Sequence, residues 1–182
     1  SVLYEAGLHF AIEKGGSILP SLLEQVYLLL YAIPAVCLGL IYQFGAGSRA
    51  DRFLLVLFLG TFSAYALLPW FQVRSPRVAF PGEDLPHFVG FAREVNTWLL
   101  DHADISTSVF PSGHVAVAFS SAFGLFSVLR IRRWIWMAAF AAATLVYIAT
   151  VYGRYHYAVD GAASIVLATA AWAVTEMWDA GE

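Results

Sequence analysis

Charge is what this chain has least of: Asp, Glu, Lys and Arg make up 13% of its 182 residues, about half the share of an average soluble domain. That scarcity excludes an ordinary soluble fold. The net charge of −3 also leaves no basic footprint for nucleic acid. Cysteine occurs once, as Cys37 inside an apolar block, so no intramolecular disulfide is possible and the residue reads as a small packed side chain. Lysine also occurs once, as Lys14. No close set of His, Asp and Glu has the spacing of a metal site, and neither a metal nor another cofactor is expected. What remains is 60% hydrophobic with a mean hydropathy of +0.69. The apolar residues gather into blocks, and a block of roughly 20 such residues crosses a bilayer core of about 30 Å. The chain reads as an integral membrane protein of the all-α class, a polytopic transmembrane helical bundle forming one membrane-embedded catalytic domain over residues 1–182.

Five spans are expected: Val26 to Tyr42 with a break at Pro34, Phe53 to Trp70, Pro111 to just before Arg130, Trp134 to Tyr152, and Tyr157 to Trp178. Trp70, Trp134, Trp136, Trp172 and Trp178 fall at or near these ends, where an interfacial aromatic belt belongs. Residues 1–24 mix apolar and charged positions and read as a surface-lying segment that includes His9. The long connection from Phe71 to Val109 holds a second such segment. Between Asp84 and Asp104, Phe88, Phe91, Ala92, Val95, Trp98, Leu99 and Leu100 recur near helical spacing with Arg93, Glu94 and Asp101 between them, which predicts an interfacial amphipathic helix. Its plainest role is a structural lid, and His87 and His102 are expected on its surface.

Loop charge gives an orientation. The loop containing Arg49, Asp51 and Arg52 and the turn Arg130-Ile131-Arg132-Arg133 lie on one side of the membrane, and both are short and net basic, which makes that side cytoplasmic. The long connection and the turn Gly153-Arg154-Tyr155-His156 then face the extracytoplasmic side, in what is expected to be the plasma (inner) membrane. The same counting leaves Ser1 outside; a sixth span ahead of it, a hypothesis at this point, would return the start of the full protein to the cytoplasm.

Two polar clusters open apolar blocks on that outer side. Phe110-Pro111-Ser112-Gly113-His114 presents backbone N–H groups, a hydroxyl and an imidazole at the start of a helix, where unpaired donors and the helix dipole favour an anion. His156 and Asp160 stand four apart, and on a helix they share a face, so that the carboxylate orients the imidazole. Together they read as a phosphate site with two histidines. Arg74 and Arg77, just past the second span, carry the fork of donors that suits a phosphate, although interfacial snorkelling is as good a reading of them.

Pro111-Ser112-Gly113-His114 resembles the central motif of the type 2 phosphatidic acid phosphatase superfamily, and His156-x-x-x-Asp160 resembles the end of its third motif. The resemblance covers about residues 65–165. It implies a six-helix membrane bundle, of which this chain holds five spans, and a metal-independent lipid phosphatase or phosphotransferase. It further implies that His156 is the nucleophile that becomes phosphohistidine, that Asp160 holds its tautomer, and that His114 protonates the leaving group and later activates the acceptor. Ser112 and the Gly113 N–H bind phosphate oxygens in that scheme.

The chain also departs from the pattern. Phosphatases of the superfamily usually carry an arginine six residues before the nucleophile, and here that position is Thr150; Arg154 is the expected substitute. The lysine of the first motif has no counterpart either, and Arg77 after Pro76, then Arg74, are the closest replacements. The stretch from Thr150 to Asp160, with Tyr65 and the Pro-Arg pair, looks like the branch of inositol phosphorylceramide synthases, which pass the phospho-group to an alcohol. Three readings follow. The first is a phosphohydrolase acting on a lipid phosphate or lipid pyrophosphate. The second is a phosphotransferase with a lipid alcohol acceptor, and the third a non-catalytic lipid-binding or transport protein. The expected partners are membrane lipids and no nucleic acid.

Overall fold

A chain with no water around it must satisfy its backbone N–H and C=O groups internally, and a single apolar segment does so only as a helix. The computed structural model describes residues 7–81, 85–103 and 109–179, and every regular element among them is helical. Four helical stretches there are long and apolar enough to cross a bilayer: Ile18–Gln43, Gly47–Trp70, Arg133–Tyr152 and Ala158–Trp178; Gly113–Val128 is a shorter apolar helix. The protein is an integral membrane protein built as a polytopic helical bundle.

The short helix α1 (Leu8–Glu13) precedes the first long stretch, which is built from α2 (Ile18–Leu29), a 3₁₀ turn (Leu30–Ala32) and α3 (Ile33–Gln43). Pro34 stands in the first turn of α3, where its missing N–H costs least, and the tightened turn ahead of it absorbs the break. This stretch begins at Ile18, not near Val26. Residues 18–24, expected in a surface segment, therefore belong to the bundle, where Pro20, Leu23 and Glu24 are buried. Glu24 misleads a reading by charge because its partners lie far along the chain. Residues 1–6 of the expected segment lie outside the described residues.

A 3₁₀ turn (Gly47–Arg49) leads into α4 (Ala50–Leu67), which ends in another (Leu68–Trp70). The long connection contains α5 (Pro76–Ala79) and α6 (Phe91–Ala103). The latter is the expected amphipathic helix: Ala92 and Leu100 are buried while Phe91 and Trp98 stay exposed. Asp84 and Asp104, the bounds expected for it, lie outside the described residues. The bundle closes with α7 (Gly113–Val128), α8 (Arg133–Tyr152) and α9 (Ala158–Asp179).

Helix α7 is the hub. It packs on α3, α4, α8 and α9, while α2 leans on α8 and α6. Val115, Ala118 and Ala122 meet Ala143, Val146 and Ala149 of α8, and Leu125 and Val128 pack with Phe53 and Leu57 of α4. Helix association in lipid gains little from the hydrophobic effect and relies on close packing, which small residues permit. Gly124 shows how close: a Cβ there would lie 2.9 Å from Phe53 Cδ2 and 3.0 Å from the Phe53 carbonyl oxygen. The outer faces are apolar, with Phe58 and Phe62 of α4 and Val166 and Met177 of α9 exposed.

Polar ties close the two ends of the bundle. At the Arg-rich end, Glu176 receives Arg52 (2.7 Å), Arg130, the Ser127 hydroxyl (2.7 Å) and the Trp172 indole N–H (3.1 Å). At the other end, buried Glu24 accepts from Arg93 (2.7 Å), Asn96 (2.8 Å) and the Tyr155 hydroxyl (2.8 Å), joining α2, α6 and the turn after α8. Glu13 of α1 accepts from Tyr152 (3.0 Å) and from the exposed His87 backbone N–H (2.9 Å). Burial acts to raise the Glu13 pKa, but the hydrogen bonds from Tyr152, His87 and the Phe88 backbone outweigh it and hold it below the ordinary value.

A carboxylate with a depressed folded pKa adds stability that is complete above its unfolded pKa of 4.5 and lost as the pH falls through the folded value. Glu13→Gln should therefore lower the thermal midpoint of the detergent-solubilised protein at pH 7, and the gap to wild type should narrow below pH 4.5. A gap that stays constant into acid would show that the ionised carboxylate contributes nothing. Gly124→Ala should cost about 1–3 kcal/mol through overpacking against Phe53, read as a lower unfolding midpoint. An unchanged midpoint would mean that α4 and α7 are not held together at this contact.

Candidate active site

Ser112 starts the site by starting its helix. It is fully buried in extended backbone at the N-cap of α7, and its hydroxyl accepts the Val115 N–H at 3.4 Å. Its own N–H donates to the Asp160 carbonyl (3.2 Å), and the Ser164 hydroxyl donates to the carbonyls of both Ser112 (2.8 Å) and Asp160 (2.9 Å). These bonds lock the mouth of α7 to the first turn of α9. Gly113 occupies the first helical position, where a backbone N–H has no intrahelical acceptor. A side chain there would collide with Tyr65, since a Cβ would lie 2.5 Å from Tyr65 Cε1. The expectation that Ser112 grips phosphate thus meets a hydroxyl already engaged as a cap, with only its proton left to donate.

The second half of the site is a turn. His156 lies in the bend between α8 and α9, two residues ahead of Ala158, so it shares no helix with Asp160. The Thr150 carbonyl accepts the N–H groups of Tyr155 (3.0 Å) and His156 (3.1 Å), which folds the chain back at the end of α8. Asp160 reaches backward to accept the Tyr157 N–H at 2.8 Å, the reciprocal half of a capping box. The same Oδ2 lies 3.5 Å from His156 Nδ1. The nearer acceptor for that nitrogen is the Val109 carbonyl at 3.0 Å. The pairing read from helical spacing is therefore real but looser than expected, because Asp160 is shared between the imidazole and the start of α9.

The two histidines meet, with His114 Nδ1 3.3 Å from His156 Nε2. His114 Nε2 in turn lies 3.1 Å from the hydroxyl of Tyr31, in the 3₁₀ turn between α2 and α3. With both rings neutral, these contacts select the tautomers. A carbonyl accepts only from an N–H, so His156 carries its proton on Nδ1 and leaves Nε2 as an acceptor. His114 must then donate from Nδ1 and accept at Nε2 from the Tyr31 O–H. The result is a one-way chain from Tyr31 through His114 and His156 to Val109. Tyr27, buried beside it, packs its ring 5.2 Å from His114 and 4.4 Å from Tyr155. Burial foremost pushes the Tyr155 pKa well up, with Arg93 opposing and the Glu24 carboxylate adding to the rise, so its hydroxyl stays protonated as a donor.

The basic residues fall differently. Arg77 is half-buried; its backbone N–H donates to the Arg154 carbonyl (3.2 Å) and its guanidinium donates to Asp101 of α6 (3.0 Å). Arg74 is exposed. Arg154 is buried in the left-handed region (φ 63°), with its guanidinium 5.9 Å from the centre of the Phe80 ring. The contacts that join His114, His156, Asp160 and Ser112 do not run through Arg74 or Arg77. The backbone nevertheless brings their segment alongside, because the Val109 N–H donates to the Val73 carbonyl (3.1 Å). Thr150 is fully buried and spends its hydroxyl on the Tyr147 carbonyl (2.7 Å). His102 is exposed and bonded to the Trp98 carbonyl (2.8 Å). Among the described residues, no three His, Cys, Asp or Glu side chains are grouped as a metal-ion site would require.

Sequence reasoning missed Tyr31, Tyr27 and Glu24. The only available signal was the placement of two tyrosines four apart near a proline break, too common to point anywhere by itself. The proton chain has a spectroscopic consequence. Both imidazoles should be Nδ1–H tautomers in ¹⁵N NMR at neutral pH, and Tyr31→Phe should shift His114 Nε2 while leaving His156 Nδ1 in place. An Nε2–H tautomer at His156 would overturn the arrangement.

Compared with known proteins, residues 5–174 match the PAP2 superfamily, a match that does not assign the chain to the inositol phosphorylceramide synthase branch. No curated protein and no solved structure matches the chain. Members of that superfamily are generally phosphatases or phosphotransferases, which supports an enzyme of this kind. The match runs from ahead of α1 into the last turns of α9 and takes in both halves of the site, and the chain belongs to the PAP2 superfamily.

Proposed function

We propose that the protein is a membrane phosphohydrolase that removes phosphate from a lipid phosphate or lipid pyrophosphate through a phosphohistidine on His156. The observation that carries this reading is the orientation of His156: with Nδ1–H held by the Val109 carbonyl, its Nε2 lone pair points at His114. Nε2 would attack phosphorus while the P–O bond to the lipid breaks, and His114, brought to its imidazolium form by the bound phosphate anion, would pass its Nδ1 proton to the departing oxygen and be left neutral. Positive charge on the His156 ring is eased by Asp160, 3.5 Å from Nδ1. Water then attacks the phosphohistidine and gives a proton to His114, which restores both rings and releases phosphate. None of these steps calls on a metal ion.

The resting geometry sets a condition. A gap of 3.3 Å between the two nitrogens is a hydrogen bond and has no room for a phosphorus atom. His114 therefore turns aside when substrate enters, with the Tyr31 contact as its pivot. Loop charge supports placing this site on the extracytoplasmic face, since the Arg-rich turns lie at the other end of α7.

A second reading is transfer of the phospho-group to a lipid alcohol. It is favoured by Thr150, which is buried and bonded within its own helix where phosphatases of the superfamily usually carry an arginine. An open cleft of about 960 Å³ beside Tyr155, lined by Arg77, Arg93, Trp98 and Asp101, offers an acceptor both polar and apolar walls. The two readings share the first half-reaction and differ in what attacks the phosphohistidine.

The test uses purified protein and a panel of lipid phosphates, with products read by mass spectrometry. Wild type should release free phosphate without an added alcohol, and His156→Ala should reduce release to background. Near-normal turnover by His156→Ala would remove the proposed nucleophile, and turnover only with an added lipid alcohol would replace hydrolysis by transfer. His114→Ala should lose most with poor leaving groups and least with an activated aryl phosphate, because a good leaving group needs no proton.

A further inference from the structure

The end of the bundle away from the histidines holds a pocket that the proposed chemistry does not use. Its volume is about 750 Å³, and its walls include Phe44, Arg49, Arg130, Arg132 and Trp134. It lies between the turn that leads into α4 and the turn that joins α7 to α8. His114, in the first turn of α7, lies 14 residues ahead of Val128 on the pocket wall, about 21 Å at 1.5 Å per residue.

The three arginines are positioned, not merely present. Arg49 donates to the Val128 carbonyl, Arg130 to Glu176, and the Arg132 guanidinium lies over the Phe44 ring, 4.7 Å from its centre. Each of these contacts occupies one donor or one face of a group that has five N–H donors. Glu176 is the carboxylate bonded to this group, and it is shared with Arg52, so positive charge is in excess. The 20-residue helix α8 adds its N-terminus beside Trp134, where Arg132 stands at the N-cap without a side-chain cap. The rim is apolar, with Ile131 96% and Trp134 66% exposed. A bias toward arginine in this loop satisfies a topology rule wherever the side chains point. Here they converge on a concavity.

We propose that this pocket binds the phosphate of an anionic phospholipid, with the headgroup against Arg49, Arg130 and Arg132 and the acyl chains leaving past Ile131 and Trp134. A basic recess between helix ends, with aromatic groups at headgroup depth, fits a lipid phosphate and a negatively charged leaflet. A free phosphate ion shares the anion chemistry but has no use for the apolar rim. The site does not depend on the reading of the histidines.

Native mass spectrometry of the purified full chain, offered equal amounts of phosphatidylglycerol and phosphatidylcholine with identical acyl chains, tests the assignment. Wild type should retain the anionic lipid preferentially, and Arg132→Gln and the Arg49→Gln/Arg132→Gln pair should reduce that preference by roughly fivefold for each arginine removed. His156→Ala should leave it unchanged, which separates this pocket from the histidine site. Arg132→Gln leaves the bonds to Val128 and Glu176 intact, so an unfolded double variant would not obscure the result. Equal retention of the two lipids by wild type would overturn the proposal, as would a preference that survives Arg132→Gln. Inorganic phosphate is the third arm: stabilisation by phosphate that is lost in Arg132→Gln and matches that of the lipid would reassign the pocket to a free oxyanion.

Discussion

A bilayer interior offers no water to a polar group, and the polar groups of this protein are arranged around that constraint. Glu24 is the clearest case. Its carboxylate is almost fully buried in a helix of the first apolar stretch, where a lone charge would be expensive. Arg93 supplies the opposite charge, and Asn96 and Tyr155 supply further donors. Satisfying one carboxylate thus fixes the amphipathic helix, the first long helix and the turn that bears His156 relative to one another. The same logic closes the other end, where Glu176 gathers two arginines, a serine and a tryptophan.

The histidine face inherits its order from these ties. Val109 is stitched to Val73 and accepts from His156, while Arg77 is stitched to Arg154. The long connection is therefore part of the wall of the site. Asp160 divides its attention between capping α9 and facing the His156 imidazole. That sharing couples the orientation of the imidazole to the integrity of a helix terminus, so that the site and the bundle cannot loosen separately.

Local pattern made much of this legible. Apolar blocks of membrane length gave the long helices, the alternation around Trp98 gave the amphipathic one, and the paired motifs gave His114, His156 and Asp160. What stayed hidden is what depends on distant partners. Tyr31 and His114 are 83 residues apart, and nothing local marks either as the other's neighbour. Glu24 reads as a surface charge until Arg93 and Asn96 are brought to it, which is why the first helix starts earlier than its charge suggests. Ser112 reads as a phosphate ligand by residue type, yet its hydroxyl is engaged as a helix cap. The His-Asp spacing of four suggested one helix face, whereas a turn and a backward-reaching carboxylate produce the same proximity.

The length of the hub helix has a further meaning. α7 and α8 leave the same tight turn at Arg130, so they are level there, but α7 has 16 residues and α8 has 20. The difference of four residues, about 6 Å of rise, falls wholly at the histidine end. His114, in the first turn of α7, therefore stands below the end of α8, and the fold-back of the chain onto the Thr150 carbonyl is what brings His156 down to it.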